Sequence, residues 1–291
     1  MTTGGTMEFK QFRSDDQIAW CPGCGDFGIL TAVQKALVQL EKQPKDVLLV
    51  SGIGQAAKLP HYVRANCFNG LHGRALPAAV GAKIANRALT VIVTTGDGDC
   101  YGEGGNHFLH NIRRNPDITV IVHDNQIYGL TKGQASPTTE AAYVTKVQTR
   151  GVMVEPIRPL ALAISLGCGF VARGYANDAD YLASLIVKGV RHKGFSLIDV
   201  LQPCVSFNKL NTREWYNERV YKLEQEAGYD CNDIMAAFTK AREWGDHIPL
   251  GIIYRNEKPC FEEKIGLESL KPLVEYEPDE IRFEEIMKEF T

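Results

Sequence analysis

Short apolar runs alternate along the chain with segments in which apolar residues recur every three or four positions. The short runs are rich in Val, Ile and Thr, which favour strands, and the periodic segments are typical of amphipathic helices. This alternation predicts an α/β fold: a doubly wound, mostly parallel sheet with helices on both faces. The predicted strands cover residues 47–51, 90–95, 118–123, 170–172 and 195–200, and we expect the last of these to be the final strand.

The helical period is clearest near the N-terminus, where Leu30, Val33, Leu37 and Leu40 fall on one stripe. The predicted helices cover residues 27–39, 76–88, 104–114, 160–166, 178–192, 234–244 and 280–290. Residues 135–159 show little periodicity, which predicts a long functional loop. No apolar run reaches the roughly 18 residues that span a bilayer, so we expect no membrane segment.

Two neighbouring strands of the predicted sheet end in polar residues. Gly-Asp-Gly-Asp at 96–99 follows one strand, and Asp-Asn at 124–125 follows the next along the chain. Ligands bind at the carboxyl ends of strands in an open parallel sheet. Asp97 and Asn125 offer the hard oxygen ligands that Mg²⁺ prefers, and the glycines allow a bulky anion to approach the backbone. The pattern predicts a magnesium–diphosphate site, although Gly-Asp-Gly is also common in ordinary turns.

The composition is that of a globular protein. The chain has 291 residues, of which 44% are hydrophobic and 23% charged, enough for one large α/β domain or two small ones. A net charge of −3 argues against nucleic acid as the main partner. Residues 256–291 carry 11 acidic and 5 basic side chains, so we expect a domain over residues 1–255 and a C-terminal extension over 256–291. Residues 1–10 lack the apolar core of a signal peptide, which predicts a cytoplasmic location.

Eight cysteines in a chain expected inside the cell indicate metal or redox chemistry more than disulfides. Cys21 and Cys24 form a Cys-x-x-Cys pair that suits a redox dithiol, a zinc site or an iron–sulfur cluster. Cys204 follows the last predicted strand, on the same sheet edge as the diphosphate site, and would be the third ligand of a cluster. The cysteines expected to be packing residues are Cys100, Cys168, Cys231 and Cys260.

The spacing of the two polar strand ends resembles that of the thiamine diphosphate enzymes. In that family Gly-Asp-Gly is followed by a pair usually written Asn-Asn, after a gap like the 25 residues from 99 to 123 here. Asp124 replaces the first Asn, and Asn125 keeps the second, which binds the metal. The resemblance implies that Mg²⁺ is held by Asp97, Asn125 and the backbone carbonyl of Ile127.

Six motifs, in order between about residues 18 and 255, resemble the β subunit of the 2-oxoacid:ferredoxin oxidoreductases. They are Trp-Cys-Pro-Gly-Cys-Gly at 20–25, Ser-Gly-Ile-Gly at 51–54, Leu-His-Gly-Arg at 71–74, Gly-Asp-Gly-Asp at 96–99, Tyr-Gly-Leu-Thr-Lys-Gly-Gln at 128–134 and Leu-Gln-Pro-Cys at 201–204. The resemblance implies a thiamine diphosphate-binding fold that also binds Mg²⁺ and one [4Fe–4S] cluster.

The same resemblance implies an activity and its partners. The expected reaction is oxidative decarboxylation of a 2-oxoacid, or the reverse carboxylation, with 2-oxoglutarate favoured and pyruvate next. Coenzyme A takes the acyl group, and electrons pass through the cluster to ferredoxin. An α subunit supplies the other wall of the cofactor pocket and the glutamate that activates the aminopyrimidine. No candidate for that glutamate is evident in this chain, so we expect activity only in an αβ or (αβ)₂ assembly.

The resemblance also assigns roles to individual residues. Lys58 is expected to fix the substrate carboxylate, and Leu130 is expected to lie near the thiazolium as a second catalytic residue. The expected cofactor-binding residues are Ile53, Gly54, Gln55, His72, Gly96, Gly98, Asp99, Gly129 and Leu130.

The expected cluster ligands include one departure from the family. Cys21, Cys24 and Cys204 match the family's pattern, but Gln55 stands where the family usually has a third cysteine, directly after Gly-Ile-Gly. Cys67, expected in a loop twelve residues further on, is the obvious substitute.

Two other classes of function remain open from the sequence. One is a non-redox thiamine diphosphate-dependent decarboxylase or synthase subunit, in which Cys21 and Cys24 bind zinc. The other is a non-catalytic scaffold protein that binds no cofactor.

Overall fold

An eight-stranded sheet forms the centre of the computed structural model, which describes residues 9–275, 287, 288 and 290. Its strands are Val47–Ser51 (β1), Asn66–Asn69 (β2), Thr90–Gly96 (β3), Thr119–Asp124 (β4), Phe170–Tyr175 (β5), Ser196–Leu201 (β6), Val220–Lys222 (β7) and Ile248–Arg255 (β8). The strand order is β2-β1-β3-β4-β6-β5-β8-β7. β8 runs antiparallel to β5, and the other neighbouring pairs are parallel.

Helices cover both faces of this sheet. The α-helices are Asp26–Gln39 (α1), Ala75–Ala85 (α2), Gly105–Arg114 (α3), Pro159–Ser165 (α4), Ala179–Arg191 (α5), Arg213–Asn217 (α6), Ile234–Arg242 (α7) and Phe261–Lys264 (α8). Leu49, Ile92 and Ile121 pack in the core layer that contains α1 and α5, whereas Val50 and Val93 pack in the layer that contains α2, α3, α4 and α7. Successive strand residues point to opposite faces, so apolar strands buried on both sides read as unbroken apolar runs.

The doubly wound, mostly parallel α/β fold is confirmed, and all five predicted strands are present. β1, β3, β4 and β6 are parallel and nearly in register, so the chain leaves all four at one edge of the sheet. β1 leads outward to β2, whereas β3 lies on the other side of β1, so the strand order reverses between β1 and β3. Ligands bind in the crevice at such a switch point.

The prediction that residues 195–200 form the final strand is wrong, because β7 and β8 follow. β8 contains Pro249 and Gly251, two residues that disfavour a strand in a sequence-based reading. Gly251 has a positive φ of 122°, and the β5–β8 register shifts between Val171 and Ala172, so this antiparallel pair is irregular.

The loop predicted around Cys67 is also wrong, because residues 66–69 form β2 on the outer side of β1. All four residues of β2 are exposed, so the strand has no apolar run that would have predicted it. Cys67 pairs with Leu49 of β1 in the parallel register.

The strand β8 ends at Arg255, where the sequence predicts the boundary of the C-terminal extension. The first part of that extension contacts the turn between α3 and β4: Phe261 N donates to Asn115 O at 2.9 Å, and Asp117 N donates to Glu262 Oε2 at 3.2 Å. The division into a domain and an extension stays a prediction, and most of the predicted helix 280–290 lies outside the described residues.

Within the described part of the chain, no helix combines the length and the apolar character that crossing a bilayer requires.

Candidate active site

A cleft opens at the sheet edge where β1, β3 and β4 end. Residues from all three strand ends line it, together with His72 from the loop before α2. The cleft brings together every residue predicted to bind the diphosphate or its metal: Ile53, Gly54, Gln55, His72, Gly96, Asp97, Gly98, Asp99, Asn125, Ile127, Gly129 and Leu130. It therefore lies at the switch point that the strand order defines.

Two glycines shape the floor of the cleft in different ways. A Cβ on Gly96 would have no heavy atom within 4 Å, so the space above this strand end is open to a ligand. A Cβ on Gly98 would lie 2.2 Å from Cε1 of Tyr128, so only glycine lets the tyrosine ring pack there. Gly98 begins a turn of π-helix, Gly98–Glu103, that the sequence did not predict and that leads into α3.

Asp97 is buried at the floor of the cleft, where it is 2% exposed. Its Oδ2 accepts a hydrogen bond of 2.6 Å from Thr138 Oγ1. Burial raises the pKa of Asp97 to about 6, because the charged carboxylate loses hydration. A divalent cation would stabilise the charged form of this carboxylate, and hard oxygen ligands of this kind suit Mg²⁺.

Asp124 lies beside Asp97 and shares the same threonine. Thr138 Oγ1 is 2.8 Å from Asp124 Oδ1. Burial, followed by the charges of Asp199 and Asp97, raises the pKa of Asp124 well above its usual range. A neutral carboxyl group offers one hydroxyl donor and one carbonyl acceptor, much as an amide offers both kinds of group. Burial therefore favours the neutral form of Asp124, which places less negative charge beside Asp97.

Asn125 and Ile127 form a tight turn after β4. Asn125 Oδ1 accepts a hydrogen bond of 3.0 Å from Ile127 N, and Gln126 between them has a positive φ of 58°. Asn208 Nδ2 donates to Asn125 O at 3.1 Å and fixes the turn from a distant part of the chain. Both Asn125 and Ile127 line the cleft, opposite Gly96 and Asp97.

Asp99 holds the loops around the cleft together. Its Oδ1 accepts hydrogen bonds from Ile53 N at 3.1 Å and Gly73 N at 2.7 Å, and its Oδ2 accepts one of 2.7 Å from Thr95 Oγ1. His72 Nδ1 lies 2.6 Å from Asp99 Oδ1. Since both oxygens already have protein donors, Asp99 positions the loops after β1 and before α2.

The two residues expected to act on the substrate lie in different places. Leu130 lines the cleft and is 44% exposed, so an apolar side chain is available beside a bound cofactor. Lys58 lies in the 3₁₀-helix Ala56–Tyr62, and its Nζ donates to Ala19 O at 3.1 Å. The structure does not bring Lys58 into the cleft.

Three cysteines line a second, smaller cavity beside the cleft. Cys21 and Cys24 come from the turn before α1, and Cys204 follows β6. Gln55, Asn125 and Gly129 line both this cavity and the cleft, so the two spaces share a wall. The cysteines expected to act together are therefore close to each other and to the residues expected to hold Mg²⁺.

Polar side chains surround two of the three sulfur atoms. Ser206 Oγ donates to Cys21 Sγ at 3.1 Å, and Gln202 Nε2 donates to Cys24 Sγ at 3.3 Å. Burial, followed by the charge of Asp26, raises the pKa of the Cys24 thiol well above its usual range. A bound cation would reverse this effect, because thiolates are stabilised by the metal they bind.

The other cysteines lie apart from this cavity. Cys67, the suggested substitute ligand, is exposed on β2 and is not among the lining residues. Cys100, Cys168 and Cys260 are buried, and Cys231 is half-buried. Among the described residues, no three side chains of the types His, Cys, Asp or Glu are grouped so that they could hold a single metal ion.

Sequence reasoning missed several polar residues around the site. Thr138 comes from a loop without periodicity, so no pattern connects it to Asp97. Tyr101 donates to Asp199 Oδ2 at 2.6 Å beneath the cleft, and burial raises the pKa of Asp199 to about 6. His123 offered a signal, because a histidine in an apolar strand needs a partner: its Nδ1 lies 2.7 Å from Asp26 Oδ1, and both groups are buried.

The fold and the cleft place the chain among the thiamine diphosphate-binding enzymes. The family model described as "Thiamine pyrophosphate enzyme, C-terminal TPP binding domain" matches residues 50–200, which include the end of β1, all of β3 and β4, and all but the last residue of β6. A second model, which describes the C-terminal part of the pyruvate ferredoxin oxidoreductase β subunit, matches residues 204–268.

Individual relatives define the family more narrowly. The chain is 50% identical over 259 residues to the 2-oxoacid:ferredoxin oxidoreductase subunit beta of Saccharolobus solfataricus, and the match covers 85% of each chain. It is 38% identical over 226 residues to the 2-oxoglutarate oxidoreductase subunit KorB of Mycobacterium tuberculosis, covering 76% of this chain and 61% of the relative.

A solved structure agrees with these relatives. The 2-oxoglutarate:ferredoxin oxidoreductase of Magnetococcus marinus, with 2-oxoglutarate, coenzyme A and succinyl-CoA bound, is similar with a TM-score of 0.88 and 33% identity. The similarity covers 98% of this chain and 96% of that chain. The chain belongs to the β subunits of the 2-oxoacid:ferredoxin oxidoreductases, and the family resemblance found in the motifs is confirmed. The non-redox alternative is not favoured by these relatives.

Proposed function

We propose that this protein binds thiamine diphosphate with Mg²⁺ in the cleft and a [4Fe–4S] cluster in the adjacent cysteine cavity. The observation that carries the proposal is the shared wall: Gln55, Asn125 and Gly129 line both spaces. An oxidoreductase that moves electrons from an organic cofactor to iron needs the two groups side by side. This arrangement supports a redox reaction more than a simple decarboxylation.

Three residues of this chain would hold the metal. The Asp97 carboxylate, the Asn125 amide and the Ile127 carbonyl are hard oxygen donors, and Mg²⁺ completes its shell with phosphate oxygens and water. Gly96 leaves room for the diphosphate above the end of β3. When bound, thiamine diphosphate supplies the carbanion that attacks the 2-oxo carbon and holds the electrons left by decarboxylation.

The walls of the cleft contribute position and polarity. Ile53 and Leu130 are 39% and 44% exposed and give the cleft two apolar sides. Removing water from the reacting carbon strengthens every electrostatic contact there. Tyr128 packs over Gly98 and fixes the loop that carries Gly129 and Leu130.

We propose that the substrate is 2-oxoglutarate, with pyruvate as the next candidate. The relatives in M. tuberculosis and M. marinus are named for 2-oxoglutarate, whereas the family model that matches residues 204–268 is named for the pyruvate enzyme. The acyl group passes to coenzyme A, as the ligands of the M. marinus enzyme support. Ferredoxin is the proposed electron acceptor.

The relatives are named as β subunits, which implies a partner α subunit. None of the described residues that line the cleft is a glutamate, and its two aspartates already have protein donors. We therefore propose that the cleft is closed by the α subunit, which also supplies the glutamate that activates the aminopyrimidine, in an αβ or (αβ)₂ assembly.

Two substitutions test the proposal in complementary ways. Asp97→Ala should weaken thiamine diphosphate binding in Mg²⁺ by at least about tenfold, since loss of a metal contact typically costs this much or more, while iron content is unchanged. Cys21→Ala should lose iron and acid-labile sulfide while binding of thiamine diphosphate persists. Calorimetric titration and metal analysis of anaerobically purified protein measure both quantities.

The matched control is Asp246→Ala, because Asp246 is exposed and far along the chain from the cleft residues. This substitution should change neither thiamine diphosphate binding nor iron content. Equal loss of both cofactors from Asp97→Ala and from Cys21→Ala would indicate misfolding and remove the support for two separate sites. An Asp97→Ala protein that binds thiamine diphosphate normally would contradict the proposed metal site.

A further inference from the structure

Gln55 closes the cysteine cavity from a third element of the fold. It lies four residues after the end of β1, whereas Cys21 and Cys24 precede α1 and Cys204 follows β6. Its backbone carbonyl accepts a hydrogen bond of 2.9 Å from Trp20 Nε1, which ties it to the residue before Cys21. The structure thus holds Gln55 at the wall of the cavity by its main chain, and this hydrogen bond leaves the side-chain amide uninvolved.

The side-chain oxygen of Gln55 is buried and has no hydrogen-bond partner. Leaving a buried carbonyl oxygen unpaired is unfavourable, because the atom loses its hydrogen bonds to water and gains none in the protein, so such an atom calls for an explanation. The three cysteines beside it offer three ligands, and a [4Fe–4S] cluster has four irons to hold. Gln55 lines this cavity, so its unpaired side-chain oxygen is available to the fourth iron.

Two other residues compete for this role. Cys67 is exposed on the edge strand β2 and does not line the cavity. Gln202 lines the cavity, and its Oε1 is also buried without a partner. However, the amide of Gln202 is already turned to the cysteines, because its Nε2 donates to Cys24 Sγ at 3.3 Å. Gln202 therefore hydrogen-bonds the sulfur of an expected ligand, whereas the side-chain oxygen of Gln55 remains available to bind iron.

We propose that Gln55 Oε1 is the fourth ligand of a [4Fe–4S] cluster whose other ligands are Cys21, Cys24 and Cys204. The inference rests on the proposed function and specifies the chemistry of that cluster. A neutral oxygen in place of a thiolate leaves the cluster with one negative charge fewer, and net charge helps to set the reduction potential. The fourth iron is also held less tightly, because clusters of this kind are best matched by soft thiolate ligands.

The test measures loss of one iron in the full chain, purified anaerobically together with the α subunit. Ferricyanide removes one electron from the [4Fe–4S]²⁺ cluster, which then releases Fe²⁺ and leaves [3Fe–4S]⁺, detected by electron paramagnetic resonance. Gln55→Leu should lose the fourth iron at least tenfold faster than the wild type. Gln55→Cys should lose it more slowly than the wild type and should lower the reduction potential, while Gln55→Glu should keep the iron.

Two controls address the competing residues. Cys67→Ser should release the fourth iron at the wild-type rate. Gln202→Leu removes only a hydrogen bond to Cys24 Sγ and should lose the fourth iron clearly more slowly than Gln55→Leu. A fast loss in Cys67→Ser or Gln202→Leu, with a wild-type rate in Gln55→Leu, would overturn the assignment of Gln55. An unchanged spectrum and potential in Gln55→Cys would overturn it as well, even if Gln55→Leu fails to fold.

Iron and sulfide analysis of the wild-type protein distinguishes a failure of this ligand assignment from a failure of the proposed function on which it rests. One outcome would contradict the ligand assignment alone: the wild-type protein contains four irons and four sulfides per chain, and the Gln55 variants lose iron at the wild-type rate. Wild-type protein without iron or acid-labile sulfide defeats the proposed cluster, and the role of Gln55 with it.

Discussion

Thr138 shows how a single hydroxyl group can connect two acidic side chains of the proposed metal site. It lies between Asp97 and Asp124, 2.6 Å from the carboxylate of one and 2.8 Å from that of the other. The sequence revealed Asp97 and Asn125, because polar residues at the ends of apolar strands stand out. It could not reveal Thr138, because this contact joins β3 to a loop 41 residues further on, where no period exists.

His192, at the end of α5, provides a test of residue electrostatics away from the site. It is 9% exposed, packs against the Phe170 ring with centroids 5.8 Å apart, and its Nε2 has no hydrogen-bond partner. Burial, followed by the charge of Arg255, lowers its pKa below the usual 6.5. The unfolded chain therefore binds more protons than the folded one as pH falls below about 6.5, so this residue costs stability in acid.

We expect His192→Gln to lose less stability than the wild type between pH 7.5 and pH 5.5, because glutamine takes up no proton. Urea unfolding at both pH values measures the difference. His247→Gln, at an exposed histidine, should lose as much stability as the wild type. An equal loss in His192→Gln and the wild type would show that His192 does not contribute to the acid sensitivity.

At the scale of elements, the sequence predicted the buried strands and missed the strands that are exposed or irregular. β1, β3, β4 and β6 are buried along their length, so their apolar runs identified them. β2 is exposed throughout, and β8 contains a proline and a glycine, so neither has the pattern of a strand. Asp97 and Asn125 could be located because each directly follows one of these buried strands.

The close packing of α1 against the end of β5 gives a prediction for one element. A Cβ on Gly28 of α1 would lie 1.8 Å from the carbonyl oxygen of Ala176, a backbone atom that cannot move aside. Gly28→Ala should therefore displace the helix and destabilise the protein by roughly 1–3 kcal/mol, the usual cost of overpacking. Urea unfolding measures this loss.

Gly81 in α2 is the matched control, because a Cβ there would meet no heavy atom within 4 Å. Gly81→Ala should stabilise the protein by about 0.5–1 kcal/mol, since alanine favours a helix interior. A Gly28→Ala protein as stable as Gly81→Ala would show that α1 does not pack as closely as its geometry requires.

At the scale of the molecule, the chain presents surfaces that suit a partner. The loop between β4 and α4 carries several exposed apolar side chains: Val144, Val147, Met153, Val154 and Ile157. Exposed apolar groups of this kind mark interaction surfaces. The same loop carries Thr138, which hydrogen-bonds Asp97 in the cleft, so a partner that binds the loop would contact a segment that also reaches the cleft.

We expect the isolated chain to bind thiamine diphosphate without catalysing 2-oxoacid oxidation, because no glutamate is found among the described residues that line the cleft. Addition of the α subunit should give 2-oxoglutarate- and coenzyme A-dependent reduction of ferredoxin, measured anaerobically by absorbance. The control is an α subunit with alanine in place of its glutamate, which should leave the rate near zero. Turnover by the isolated chain would contradict the division of labour proposed for the two proteins.

The outer side of β2 has a consequence for production of the protein in cells. Its main-chain groups face away from β1 and have no neighbouring strand in the described part of the sheet. A bare edge of this kind is a template on which another copy can add its own strand, and Phe68, half exposed, makes that contact apolar. Cells that synthesise this chain at a high level should therefore accumulate insoluble material that forms through this edge.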